Sequence, residues 1–309
     1  MNAFEVVVAY LTGEFAYAAE LQAFWMAMQG AMAVRNGPNA GKKLHWFHAF
    51  CLSVLTGYAG ALFAPLWMGR PTSMLSNDLN FAVCILAFLI VNCLPFDAGF
   101  KLCNTLPVRI VMTAFAQLFR ANGIAKFSNM AYEEFKDSPS SYYPTPVFGP
   151  IVWPTLLGNM GGLFANGVNA YLAKGMPWPF QNGLVCASFY HFMVHDTKGV
   201  IGQTLRRAIR SMGPSVRMGL VDNKVFASVI VSAFMHIVGI LQLPNFLGSS
   251  FSPFNSLGAA LLYITTLSGK SKSTTPSTST STASNPVVKK KRNRGRKTNA
   301  NSNGAKKEL

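Results

Sequence analysis

The chain has 309 residues, of which 50% are hydrophobic and only 12% are charged, and its formal net charge is +16. A soluble globular domain carries about 25% charged residues, so this composition excludes an ordinary soluble protein and favours one that crosses a membrane several times. Residues 270–309 hold eleven Lys or Arg and one Glu, which is +10 of the total charge. The basic balance therefore belongs to the tail, and it gives no support to nucleic-acid binding by the body of the chain.

Apolar segments of membrane-spanning character follow one another along residues 1–267. A transmembrane helix needs about 20 mostly apolar residues. We predict spans at Phe15–Val34, Phe47–Gly69, Phe81–Leu94, Leu106–Phe127, Val147–Leu172, Gly183–Gly202 and Lys224–Leu243. The sequence therefore predicts an all-α polytopic membrane protein with seven transmembrane helices in residues 1–267.

Two of these spans, the second and the fifth, contain Gly and Pro where a helix would be interrupted. The kink candidates are Gly57 and Gly60 in the second span and Gly158, Gly161 and Gly162 in the fifth. Each of the two spans is the middle one of a group of three, and each is followed by a similar exit, WMGRP or KGMPWP, at an offset of 106 residues from Gly69 to Gly175. This pattern predicts two inverted three-helix repeats plus a seventh helix, with a permeation or binding site at the kinks. Since Gly and Pro are frequent in transmembrane helices, kinks without a function are the alternative.

Residues 268–309 form a segment of different composition. A Ser/Thr-rich stretch is followed by the basic run Lys289–Lys297, and we expect a disordered cytosolic tail whose second role is attraction to anionic lipid. Lys306 and Lys307 match a dilysine retrieval signal, although the last four residues also loosely resemble a luminal one. The positive-inside rule favours the cytosolic alternative. It leaves the basic segment Arg206–Arg217 on the opposite side, so either the sixth span ends elsewhere or this segment is an amphipathic extension.

Ionisable residues inside the spans are the remaining candidates for chemistry. Asp97 and Lys101 are four residues apart, a spacing that predicts a structural ion pair. His191 and His195 have the same spacing, but no third ligand accompanies them, so hydrogen bonding within the bundle is favoured over a metal site and a proton relay stays open. His236 is predicted to bond a backbone carbonyl. We expect no catalytic residues, no metal and no enzymatic activity, because the spans contain no catalytic triad and no paired carboxylates.

Several stretches, taken in order, resemble the trimeric intracellular cation (TRIC) channel family. They are GYAGALFAPLWMGRP from Gly57, CLPFDAGFK from Cys93, LPVRI from Leu106, GNMGGLFAN from Gly158 and SPFNSLG from Ser252. The resemblance implies seven helices in two inverted repeats, one pore in each protomer of a homotrimer, and a pore lined by the kink glycines. It also implies a potassium channel of the endoplasmic or sarcoplasmic reticulum, or nuclear membrane, that supplies counter-ion flow during calcium release.

The chain departs from the family pattern on the fourth helix. The family's Lys-Glu-Val-x-Arg-x-x-Lys, which holds a phosphoinositide, is here AQLFRANG at residues 116–123, with Ala116, Gln117 and Gly123 at the other charged positions. Only Arg120 remains as a lipid-phosphate contact, and a snorkelling Arg is the alternative. A family Lys before the fifth-helix glycines is Leu157. A non-conducting regulatory or scaffold subunit is therefore the second expectation, and a small-molecule transporter the third.

Overall fold

The computed structural model describes residues 2–157, 160–169, 177–213, 220, 222–248 and 251–254, which lie in one compact unit, Met1–Leu261. Regular structure in these residues is helical, as predicted. The helices are α1 (Ala3–Thr12), α2 (Ala18–Asn36), α3 (Trp46–Trp67), α4 (Ser73–Ser76), α5 (Asp78–Asn92), α6 (Ala98–Cys103), α7 (Leu106–Phe135), α8 (Phe148–Leu157), α9 (Met160–Asn166), α10 (Trp178–Val194), α11 (Val200–Ser211) and α12 (Asn223–Leu241).

Each predicted span overlaps at least one of these helices, and the protein is a multi-pass membrane protein. Within the described residues, α3 and α12 are long and apolar enough to cross a membrane unaided, and α5 with Pro95–Cys103, bent by 88°, would be a third crossing. The helix α5 exposes an apolar face that a soluble protein would bury, formed by Phe81, Ile85, Leu86 and Leu89. The count of seven crossings stays a prediction.

The core consists of two apolar clusters that share helix α7. The first cluster joins α2, α3 and α5 to the first half of α7, where Met112 and Ala116 are buried. The second joins α10 and α12 to the middle of α7, where Ala121 and Ile124 are buried. Helix α7 therefore connects the two clusters and fixes the positions of the helices around it.

Helix α1 precedes the first predicted span and was not predicted. Its first turn is closed by a capping box in which Asn2 Oδ1 accepts from the Glu5 amide at 2.8 Å and Glu5 Oε2 accepts from the Asn2 amide at 3.0 Å. The Asn-x-x-Glu spacing is the sequence signal for this start. Tyr10 of α1 then bonds His236 of α12, with 3.1 Å between the hydroxyl oxygen and Nε2.

The sixth predicted span ends at Val194, not at Gly202, and α11 is a separate helix. The Asp196 carboxylate accepts from the amides of Gly199 at 3.0 Å and Gly202 at 2.8 Å, so it caps the start of α11. Arg206 donates to the carbonyl oxygens of Phe192, Met193 and Asp196 at the end of α10. These bonds satisfy the polar groups that both helix ends leave unpaired, and they stabilise the break.

Candidate functional site

The two Gly- and Pro-containing segments, α3 and α8–α9, pack against each other, although α3 is not interrupted. Trp46–Trp67 is one continuous helix with Pro65 inside it, so the break expected at Gly57 and Gly60 is wrong. These residues allow close packing instead, because a Cβ at Gly30 of α2 would lie 2.8 Å from the Gly57 nitrogen. A Cβ at Gly161 of α9 would overlap the carbonyl oxygen of Thr56 in α3.

A cavity of about 1440 Å³ lies beside this contact. Gly57, Gly60, Gly161 and Gly162 all line it, so the structure brings together four of the five predicted pore residues. The fifth, Gly158, lies outside the described residues.

The cavity follows α2 along nearly its whole length, from Ala19 to Asn36. At a rise of about 1.5 Å per residue this distance is roughly 25 Å, which approaches the thickness of the hydrocarbon core of a bilayer. The α7 side of the cavity runs from Phe119 to Met130. The lining residues of the cavity therefore extend along most of α2 and along the middle of α7.

The polar lining contains amides and bases. Asn122 of α7 donates to Gln22 of α2, with 3.0 Å between Nδ2 and Oε1. The charged lining residues are Arg70, Arg120 and Lys126, and no carboxylate lines the cavity within the described part of the chain. Arg70 is paired with Glu134 at 3.6 Å.

Arg120, the predicted lipid contact, is half-buried on α7 and lines the cavity. Two neighbours that differ from the family pattern, Ala116 and Gln117, are 0% and 2% exposed and belong to the core. Gln117 packs against Gly239 of α12, where a Cβ would lie 2.6 Å from its Cγ. A charged side chain at position 116 or 117 would be buried away from solvent. The cost of burying it is a physical reason why the charged residues of the family pattern are absent here.

Lys126 was missed by the sequence analysis. It is exposed on α7 and lines the same cavity as Arg120 and Gly123. Residues three apart on a helix are neighbours. The sequence signal was the position of Lys126. It lies three residues, or about one helical turn, after Gly123, which stands where the family pattern has a Lys.

The predicted pair of Asp97 and Lys101 is wrong. Asp97 instead contacts Lys42 at 2.8 Å and Arg35 at 3.4 Å. Its φ of 56° places it just before α6, so the four-residue helical spacing does not apply to it. Arg35 also lies over the ring of Phe100, 5.0 Å from its centroid. This cluster ties the end of α2 to the bend after α5.

The histidines of the bundle differ in their hydrogen bonding. His236 Nδ1 lies 2.7 Å from the Ser232 carbonyl oxygen, which confirms the prediction of a backbone bond. His191 and His195 are both buried, with ring centroids 5.8 Å apart. Among the residues that the structure describes, neither ring nitrogen of His191 nor Nε2 of His195 has a hydrogen-bond partner, so the hydrogen bonding predicted for them is not found at these atoms. Within the described residues, no group of three or more potential ligands could hold a metal ion.

Several predicted features lie outside the described residues. They are Arg217, the side chain of Leu157, and the tail 268–309 with its retrieval signal Lys306 and Lys307.

Residues 36–150 of the chain match a family model described as TRIC channel. The match covers 115 of the 309 residues, so the chain is similar to the TRIC channel family over this segment. The match ends at residue 150, before the glycines of the fifth predicted span. The evidence that Gly161 and Gly162 line the cavity therefore comes from the structure alone.

Two solved structures have a similar fold. The structure of a trimeric intracellular cation channel from C. elegans without Ca²⁺ has a TM-score of 0.53 at 16% identity, with 78% of this chain and 97% of that chain covered. A structure of the TRIC counter-ion channels in calcium release gives a TM-score of 0.55 at 16% identity, covering 77% and 97%. No curated protein matches.

Proposed function

We propose that this protein is a divergent member of the TRIC channel family, a monovalent cation channel that conducts potassium through the cavity of about 1440 Å³. The supporting observation is that glycines of both Gly- and Pro-containing segments line one cavity, whose lining residues extend along most of α2. Irregular or closely packed backbone at membrane depth is tolerated where it lines a water-filled path. The amides of Gln22 and Asn122 supply oxygens that can replace part of the hydration shell of a cation.

We further propose that the channel is a homotrimer of the endoplasmic or sarcoplasmic reticulum membrane, or the nuclear membrane, and that it balances charge during calcium release. The similar structures support this proposal, since they are of trimeric intracellular cation channels and of counter-ion channels in calcium release. Lys306 and Lys307 add a retrieval signal of the expected kind. Each protomer would then contain its own path.

Arg120 and Lys126 place two basic side chains in the lining of the cavity. We propose that an anionic lipid, a phosphoinositide, places its phosphates on these two side chains. Charged hydrogen bonds from Arg to phosphate are strong and directional. The bound phosphates would then face a passing potassium ion and attract it.

The second candidate is a non-conducting subunit of the same family. The observation that favours it is that basic side chains line the cavity, whereas no carboxylate does within the described residues. The two candidates therefore differ in whether any lipid makes the cavity conduct.

Single-channel recording of the purified protein in planar bilayers under asymmetric potassium, with and without phosphoinositide, separates them. We expect a cation-selective current that rises with the lipid. Arg120→Gln should weaken the lipid response, because one of the two proposed phosphate contacts is gone. Lys43→Gln, which changes an exposed base outside the cavity, should not alter the lipid response. Silence under every lipid condition, in protein that is folded and trimeric, would establish the non-conducting subunit.

A further inference from the structure

Helix α11, Val200–Ser211, carries a second surface, away from the cavity. Between Asp196 and Asp222 the sequence has five basic residues and no acidic one. Lys198, Arg207 and Arg210 are exposed, whereas Arg206 is 9% exposed and bonds the carbonyls of α10. The exposed charge of α11 is therefore entirely positive.

The side of α11 that faces the protein is fixed by its contacts with α10. Gly202, Arg206 and Ile209 are the buried residues of the helix. A Cβ at Gly202 would lie 2.6 Å from the Phe192 carbonyl oxygen, so the two backbones are nearly in contact. These contacts leave α11 one rotational setting about its axis.

Two flanks of different chemistry result from this setting. At about 100° per residue, Ile201, Leu205, Ala208 and Met212 fall on one flank, whereas Gln203, Arg207 and Arg210 fall on the opposite one. Ile201 and Met212 are 50% and 64% exposed. An apolar flank opposite a basic flank is typical of a helix that lies in the plane of a membrane interface.

The position of α11 in the chain agrees with this arrangement. It lies in the chain between α10 and α12, two helices that contact each other, and α12 is long and apolar enough to cross a membrane. With 12 residues α11 is too short to cross a bilayer. At a membrane interface, its exposed apolar side chains would meet acyl chains and its exposed Arg side chains would meet phosphates.

We propose that α11 lies parallel to the bilayer and binds anionic glycerophospholipids, with Ile201 and Met212 among the acyl chains and Arg207 and Arg210 on the phosphates. We choose a lipid as the occupant because its phosphates complement the basic flank of α11 and its acyl chains complement the apolar flank. The proposal goes beyond conduction and is tested without a current.

The first test maps the two flanks in the full-length protein. Ala208→Cys and Gln203→Cys, both at exposed positions on opposite flanks, are labelled with an environment-sensitive fluorophore in a background with Cys51 and Cys93 replaced by Ala. In phosphatidylcholine nanodiscs, we expect the label at 208 to be quenched by lipid-attached nitroxides and the label at 203 by aqueous iodide. Equal quenching of both labels by iodide would place α11 away from the bilayer and overturn the proposal.

The second test measures which lipids stay bound. Native mass spectrometry of protein taken from phosphatidylcholine bilayers with added phosphatidylserine should show serine lipid enriched on the protein. Arg207→Gln with Arg210→Gln should weaken that binding by about five-fold per Arg. The Lys pair at the same positions should restore it, since Lys keeps the charge. Enrichment that survives the Gln pair in trimeric protein of unchanged Tm would overturn the phosphate contacts.

Discussion

At the scale of single residues, Gly161 and Gly123 both line the cavity but have different surroundings. A Cβ at Gly161 would overlap the Thr56 carbonyl oxygen, whereas nothing lies within 4 Å of a Cβ at Gly123. We expect Gly161→Ala to lower the free energy of unfolding by about 1–3 kcal/mol, because α3 and α9 must separate.

Gly123→Ala is the matched control. It should be neutral or stabilise the protein by up to about 1 kcal/mol, because Ala favours a helix more than Gly does. Thermal denaturation of the detergent-solubilised variants measures both. Equal Tm values for the two variants would contradict the close approach of α3 and α9.

Asp97 gives a residue-scale test of a corrected ion pair. Asp97→Asn removes the partner of Lys42 and of Arg35, which is 7% exposed, so we expect a lower Tm. Lys101→Gln should leave the Tm unchanged, since Lys101 is not the partner of Asp97. If the two variants lowered the Tm equally, the sequence-based pairing would be restored.

At the scale of elements, Asp196 holds three segments together. Besides capping α11, its carboxylate accepts from Tyr143 at 2.7 Å and Thr145 at 2.8 Å, both in the loop between α7 and α8. Burial alone would raise the pKa of this carboxyl, but the hydrogen bonds from Tyr143, Thr145, Gly202 and Gly199 outweigh it and lower the pKa below its ordinary value. The ionised form is therefore the one that the fold stabilises.

A pH series tests this role. A carboxyl with a lower pKa in the folded state stabilises the fold above its unfolded pKa of about 4 and loses that contribution as the pH falls through the lower value. We expect Asp196→Asn to lower the free energy of unfolding by about 2 kcal/mol at neutral pH. The gap between variant and parent should narrow below pH of about 4.

Asp137→Asn, at an exposed carboxyl near the same loop, serves as the control and should have no effect at any pH. A gap for Asp196→Asn that stayed constant into acid would mean that the charge of Asp196 is not what stabilises the break between α10 and α11.

At the scale of the whole molecule, we expect conduction and localisation of the proposed reticulum channel to depend on different parts of the chain. We expect the variant Lys306→Ala with Lys307→Ala to leave the reticulum and reach later membranes, because a dilysine signal needs both side chains. Its trimeric size and its potassium current should be unchanged, since the lining residues of the cavity lie between Gly13 and Pro179 in the chain. Fluorescence microscopy checks the localisation, and a size measurement in detergent checks the trimeric size. Unaltered retention would remove the retrieval signal from the proposal.

The sequence by itself determined the class of protein and most of the helices, although it predicted neither α1 nor the break before α11. Long apolar runs such as those of α3 and α12 are a local property, because a bilayer requires each span to be apolar along its own length. Four of the five predicted glycines line the cavity, whereas Gly13, Gly37 and Gly123, which also line it, were not predicted.

Only the tertiary structure decided which residues contact each other. The partners of Asp97 come from residues more than fifty positions away, and the end of α10 depends on bonds from Arg206 and the loop before α8. Lys126 lines the cavity because of how α7 is rotated against its neighbours. Such contacts depend on packing between distant segments, and no local spacing specifies them.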